Sequence, residues 1–244
     1  MPIASVVHGD SGKGKSRLAD TLPGPRLILD AEGGTEWTPS PKVSWDPRQP
    51  LPTAMPDGSP ITTNTTVVVI VREFSTMQLV LQWLQSGQHY FESVSLDSLT
   101  EIQKRCRDAL RGQDEQMTQH LWGTLLDKME RLVRDVRDLK MHPTKPVNVL
   151  ITAGSVTKEI EGDTKKRPDV QGALIRQLAY YMDVVGYLYV EANGDTGLLE
   201  RKLLIQPIGI FEAKDRTDLL TQRYGHVIVN PNMAEISAVL RGEQ

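Results

Sequence analysis

The stretch "VVHGDSGKGKSRL" (residues 6–18) constrains this chain more than any other. Gly9, Gly14, Lys15 and Ser16 fit the spacing G-x-x-x-x-G-K-[ST], directly after an apolar run and at the opening of a helical pattern. Glycines let successive backbone N–H groups converge on phosphate oxygens, and the start of a helix adds its dipole. The loop Gly9, Asp10, Ser11, Gly12, Lys13, Gly14, Lys15, Ser16 and Arg17 is therefore expected to cradle the phosphates of ATP. Lys15 would reach the β- and γ-phosphates, and Ser16 would ligate Mg2+.

The rest of the pattern supplies a fold for such a loop. Residues 3–7, 26–30, 67–71, 92–97 and 147–154 are short apolar runs that read as buried strands. Helical periodicity separates them, most clearly at 116–140, where Leu121, Leu125, Met129, Leu132, Val136 and Leu139 recur at helical spacing. Residues 77–85 and 171–183 also read as helical, and a hairpin is expected around Asn193, Gly194 and Asp195. The tail offers a short strand and a closing helix. This alternation predicts one α/β domain over residues 1–244, with a mostly parallel sheet flanked by helices and antiparallel strands added late. Residues 35–66 break the pattern. Prolines at 39, 41, 47, 50, 52, 56 and 60 predict an irregular insertion over the surface.

Composition excludes several classes. With 39% hydrophobic and 24% charged residues, the 244-residue chain can bury a core. A net charge of -3 provides no global positive field for nucleic acid or anionic membrane, so any DNA contact must be local. The single Cys106 excludes an intramolecular disulfide and fits a reducing compartment. No signal-peptide pattern opens the chain, and no apolar stretch approaches the ~20 residues that span a bilayer, so a cytoplasmic location is expected. The five histidines (His8, His89, His120, His142, His226) lack metal-ligand spacing and read as structural.

Two further strand ends carry candidate chemistry. Asp97 closes "ESVSLD", where a second Mg2+ anchor belongs, although a helix cap would use the same residue type. "LDAEGG" ends the second strand and offers Asp30 and Glu32; a carboxylate there could orient and deprotonate water, or simply organise a turn.

Taken in order, the phosphate loop, D-x-E-G, the apolar-D-S-L-T run and "AKDR" resemble the RecA-like core ATPases. More closely, they resemble the short RecA-related ATPases of phages that act in single-strand annealing and recombination. The resemblance implies a RecA-like P-loop core with Lys15 and Ser16 on phosphate and Mg2+, Asp97 as the second acid and Glu32 as the catalytic carboxylate. It implies that Lys214 and Arg216 of "EAKDRTD" act on nucleotide bound by a neighbouring subunit, in a ring or filament. It also implies single-stranded DNA as partner, a single-stranded-DNA-binding protein as a further one, and a host cytoplasm as location.

Two departures qualify that expectation. Thr152, Ala153 and Gly154 stand where such ATPases carry a Gln or His that senses the γ-phosphate. The loop expected to face DNA, residues 155–170, offers Lys158, Lys165, Lys166 and Arg167, offset by Glu159, Glu161, Asp163 and Asp169, with no aromatic residue for base stacking. From the residues alone, a nucleotide or small-molecule kinase, or an ATP-gated scaffold without turnover, remains open beside the recombination ATPase.

Overall fold

The computed structural model describes residues 1–112, 116–160 and 162–243. Its first strand, β1 (Ala4–His8), leads through the glycine loop into a short helix, α1 (Lys15–Ala19). Strands β2 (Arg26–Asp30), β3 (Lys42–Ser44) and β4 (Thr66–Ile70) follow, then helix α2 (Phe74–Ser86). Strand β5 (Ser93–Asp97) runs into α3 (Leu99–Arg111) and α4 (Gln119–Asp138). After β6 (Asn148–Ala153) come the paired strands β7 (Ser155–Ile160) and β8 (Asp163–Pro168), then α5 (Leu174–Tyr181). The chain closes with β9 (Val184–Ala192), β10 (Leu199–Leu204), β11 (Lys214–Asp215), α6 (Leu219–Tyr224), β12 (Val227–Val229) and α7 (Met233–Leu240).

The sheet order is β12-β10-β9-β1-β6-β5-β2-β4-β3, with β11 added beside β9. From β9 through β3 every neighbouring pair is parallel, whereas β10, β11 and β12 join antiparallel. This is the expected α/β architecture of a RecA-like P-loop core. One strand, β6, lies between the loop-bearing β1 and the acid-bearing β5. Helices α2 to α5 cover one face over a core that includes Met77, Leu84, Ile102, Met129 and Val133. Helices α1, α6 and α7 cover the other, around Leu18, Ile28, Leu150 and Ile236. Both faces being covered, the central parallel strands are buried along almost their whole length, and β2, β4 and β6 appear as largely apolar runs in the sequence.

Local chemistry sets the element boundaries. Ser98 caps α3 by accepting from the Glu101 backbone N–H, and Glu101 sits at the third helical position, as in a capping box. Thr118 caps α4 in the same way through Leu121. The buried residues of α4, namely Leu125, Met129, Leu132, Val133 and Val136, follow the helical period read from the sequence. Cys106 is buried on α3, and burial pushes its thiol up to about 11, so it is an inert core residue at neutral pH.

The two segments expected to be loops differ in outcome. Residues 35–66 are irregular over most of their length, as expected, but include the rest of a 3-10 turn, Gly34–Trp37, and the edge strand β3. The reason is burial: Val43 and Trp45 turn into the core, and Trp45 packs edge-on against Trp83 at 5.8 Å. Prolines here accept rather than donate, with Trp83 Nε1 bonding the Pro47 carbonyl and Tyr90 Oη the Pro52 carbonyl. Residues 155–170 were expected to be a loop and instead form the β7–β8 hairpin, with Lys158 directly opposite Lys165. Among the described residues no helix is long and apolar enough to cross a membrane.

Arg26 staples the proline-rich segment to the sheet. Its guanidinium donates to Leu22 O (2.6 Å), Thr66 Oγ1 (2.8 Å), Ser40 Oγ (2.8 Å) and Asn64 O (2.8 Å), and lies 3.9 Å from Asp20. Asp20 in turn accepts from Thr66 Oγ1 and the Ser40 N–H. Replacing Arg26 by Met leaves Asp20 buried without its cation and several acceptors unmet. We expect a loss of about 3–5 kcal/mol, read from the midpoint of urea unfolding; a loss under about 1 kcal/mol would show that the staple is not structural.

Candidate nucleotide site

All the groups singled out at strand ends meet at one edge, because parallel strands deliver their C-terminal ends to the same side of a sheet. The loop after β1, Asp30 at the end of β2 and Asp97 at the end of β5 share that edge, and Asp30 and Asp97 are register partners. Lys15 is folded back into its own loop, donating to Gly9 O at 2.9 Å and Asp10 O at 3.1 Å. Burial pulls the Lys15 ammonium below its usual range, while the charges of Glu32, Asp97 and Asp10 oppose that shift. These three carboxylates are therefore near enough to act on the lysine.

Asp97 is 1% exposed. Its Oδ1 accepts from Thr152 Oγ1 at 2.5 Å, and its Oδ2 is buried without a hydrogen-bond partner. Burial holds this carboxyl above the ordinary range; the Ser16 and Thr152 hydroxyls pull it back, and Asp30 and Glu32 push it further up. A buried carboxylate oxygen that makes no geometric hydrogen bond and has only the Ser16 hydroxyl beside it has the hard-oxygen chemistry that Mg2+ requires. The residues present fit that ion. Gly34 completes the enclosure: a Cβ placed there would overlap Ser16 Oγ and lie 3.7 Å from Asp97 Oδ2.

The two carboxylates of "LDAEGG" separate into distinct tasks. Asp30 is buried and accepts from the backbone N–H groups of Glu32 (3.0 Å), Gly33 (2.7 Å) and Thr35 (3.0 Å), and from Thr35 Oγ1 at 2.5 Å. With its lone pairs so engaged, it organises the turn. Glu32 is exposed, and its Oε1 accepts from Ser98 Oγ, the residue that follows Asp97. Arg105 secures the same turn from α3 by donating to Ala31 O (2.9 Å) and Arg72 O (2.8 Å).

The basic residues of the β7–β8 hairpin divide as well. Lys166 reaches back to the phosphate loop, pairing with Asp10 at 2.7 Å and lying over the Tyr187 ring. Arg167 is buried between Asp163 and Glu212, each at 3.5 Å. Both were expected to face DNA, but on opposite faces of β8 each finds a partner within the chain, Lys166 in Asp10 and Arg167 in Asp163 and Glu212. Lys158 stays exposed and Lys165 half-buried beside Asp163 at 2.9 Å; Glu161 lies outside the described residues. His8 ties the hairpin base to β1: Nε2 donates to Glu212 O at 2.8 Å, and Nδ1 accepts from Ser155 Oγ at 2.9 Å. Burial lowers the His8 imidazole to about 4, which keeps it neutral and supports that tautomer at physiological pH.

Lys214 and Arg216 do not join the phosphate loop of their own chain. β11 pairs with the beginning of β9, toward the opposite end of the strands from the loop. Lys214 Nζ donates to Ala179 O and Met182 O, and Arg216 to Tyr180 O with a 3.3 Å ion pair to Asp183. Lys165, Arg167 and Lys214 do line one cleft of about 580 Å³, but Asp163, Glu212, Asp215 and Asp218 line it too, so it is no uniformly basic channel. Sequence reasoning missed Gly34, Arg105 and the Lys166–Asp10 pair. The second glycine of "EGG" was the one readable signal; the others depend on residues far apart in the chain.

A family described as an AAA domain matches residues 1–217. No curated protein matches the sequence. Among solved structures, the chain is similar to a prototypical ATPase from the type III secretion system of pathogenic bacteria, at 12% identity and a TM-score of 0.45. That similarity covers 78% of this chain and 52% of the other, so the chain spans about half the length of that ATPase.

Substitution of Asp97 separates stability from chemistry. A carboxyl raised in the folded state contributes stability that is full below its unfolded pKa and lost as pH rises through the folded value. Without metal, ionisation of the group therefore opposes folding. Asp97→Asn is expected to raise the unfolding free energy of the nucleotide-free protein by about 0.5–2 kcal/mol at pH 7 and to flatten its dependence between mild acid and neutrality. A less stable variant would mean that the Ser16 and Thr152 hydroxyls outweigh burial.

Proposed function

The chain belongs to the AAA domain family, a P-loop ATPase, and on that premise we propose that it hydrolyses ATP with Mg2+ and Glu32 and couples turnover to single-stranded DNA in annealing or recombination. One observation carries the catalytic half: Lys15, Ser16, Asp97 and Glu32 converge at one sheet edge, with Glu32 the exposed carboxylate among them. Held by Ser16 and Asp97, Mg2+ would neutralise charge on the β- and γ-phosphates.

The protein groups do the rest. Lys15 exchanges the Gly9 and Asp10 carbonyls for phosphate oxygens, which removes its competition with the substrate. Glu32, oriented by Ser98, holds the attacking water and takes its proton as the new P–O bond forms. The bond between the γ-phosphorus and the bridging oxygen breaks, and ADP leaves with the electron pair. Thr152 fixes Asp97, so the strand end that lacks the usual Gln or His still shapes the site.

The DNA half rests on the hairpin. It leaves the sheet beside the phosphate loop and is tied to it through Lys166–Asp10 and Ser155–His8. Lys158, exposed, and Lys165 opposite it, half-buried and paired with the exposed Asp163, are the cations nearest to a phosphate backbone laid along the hairpin. A strand held there would act on Asp10 through Lys166, the residue next to Lys165. For action on a neighbouring subunit, Lys214 and Arg216 would both have to leave backbone carbonyls of their own chain, and Arg216, half-exposed, is the more accessible of the two.

Steady-state ATP hydrolysis with and without single-stranded DNA tests both halves. Lys15→Ala is expected to abolish turnover, and Glu32→Gln to keep ATP binding while slowing turnover about a hundredfold or more. The paired change Lys158→Glu and Lys165→Glu is expected to remove DNA stimulation and leave basal turnover intact. Turnover indifferent to DNA in the wild type would sink the coupling, and turnover that needs a phosphoryl acceptor would favour a kinase.

A further inference from the structure

We propose that Arg201 binds the phosphates of the nucleotide, supplied in cis by β10 to the loop that β1 carries; this rests on the nucleotide-site reading above. Gly14 adopts φ +95°, and a Cβ built on it would overlap Arg201 Nε and lie 3.1 Å from Cδ and 3.4 Å from Cζ. The guanidinium thus lies directly against the last glycine of the phosphate loop, the residue before Lys15. Its backbone is fixed from both sides by Asn230, whose N–H donates to Arg201 O at 2.7 Å and whose Oδ1 accepts from Arg201 N–H at 3.3 Å.

The charge of Arg201 has no counterpart. Its Nε is buried without a partner, and among the described residues its guanidinium makes no hydrogen bond or ion pair. Acids on the same hairpin are already engaged: Glu191 and Glu200 pair with Lys202 at 2.8 and 3.9 Å, and Glu200 also accepts from Asn193 Nδ2. Arg105 and Arg167 also have an Nε without a hydrogen-bond partner, but each uses its charge elsewhere, Arg105 on two backbone carbonyls and Arg167 between two carboxylates. A planar, permanently charged fork beside a phosphate cradle, with its donors unspent, matches the oxygens of a nucleoside di- or triphosphate. Bound phosphate would supply the anion that the fold withholds. Gly14 is then needed for two reasons, its positive φ and the room it leaves for the guanidinium.

Titration calorimetry of ADP with Mg2+ on the full chain tests this, alongside thermal unfolding of each nucleotide-free variant. Arg201→Met keeps an unbranched stem against Gly14, and Arg201→Gln keeps polarity without charge. Both are expected to bind ADP about tenfold or more weakly while the nucleotide-free unfolding midpoint stays near wild type. Arg201→Lys is expected to recover part of the loss. If the Met variant fails to fold, the Gln variant decides. A folded variant with unchanged ADP affinity overturns the proposal, as does a loss of affinity matched by an equal loss in AMP, ADP and nucleotide-free stability, which would mean packing alone. Weak ADP binding in Lys15→Ala with normal binding in the Arg201 variants overturns this assignment only. No ADP binding by the wild type overturns the nucleotide site and this assignment together.

Discussion

Asp97 is withdrawn almost wholly from water, and a carboxylate in that position has to be stabilised by its surroundings or lose its charge. The surrounding structure answers that demand only in part. Thr152, from the neighbouring strand β6, satisfies one oxygen; Ser16 stands beside the other; Lys15 is close enough to feel its charge. What is left over is a carboxylate oxygen served by the Ser16 hydroxyl at most and an ammonium held by the Gly9 and Asp10 carbonyls. Such unfinished electrostatics oppose folding slightly and favour any ligand that brings a cation and phosphate oxygens together.

The strand order makes this possible. Because β6 separates β1 from β5, the acid stands one strand away from the phosphate loop, with Thr152 between them. Adjacent strands would crowd the lysine and the carboxylate into a direct pair. The neighbouring β2 then delivers the Asp30 turn, in which the N–H groups of Glu32, Gly33 and Thr35 all go to Asp30, so the Glu32 side chain is presented at the surface of the site. Arg105 and Ser98 hold this turn from α3, the helix that Asp97's own strand leads into.

The other side of the loop is wired to elements that come much later in the chain. Asp10 is paired with Lys166 on the hairpin, and His8 bridges Ser155 and the backbone at Glu212. On β10, Arg201 lies against Gly14. The phosphate loop therefore lies between the strand-end acids Asp97 and Glu32 on one side and the late basic residues Lys166 and Arg201 on the other, both of which contact the loop itself.

The sequence by itself determined the α/β class, the loop with Lys15 and Ser16, and the strand-end acids Asp97, Asp30 and Glu32. It did so because buried parallel strands are largely apolar runs and their ends carry the polar residues, so local pattern and position coincide. It did not separate Asp30 from Glu32, since both fit a turn and both fit catalysis; only the three backbone donors and the Thr35 hydroxyl around Asp30 do that. Tertiary structure alone decided that 155–170 is a hairpin, that Lys166 and Arg167 find partners within the chain, that β3 forms within the proline-rich segment, and that Arg201 meets Gly14. Each of these depends on pairing between residues distant in the chain. Side-chain charge and backbone propensity say nothing about such partners until the sheet order brings them together.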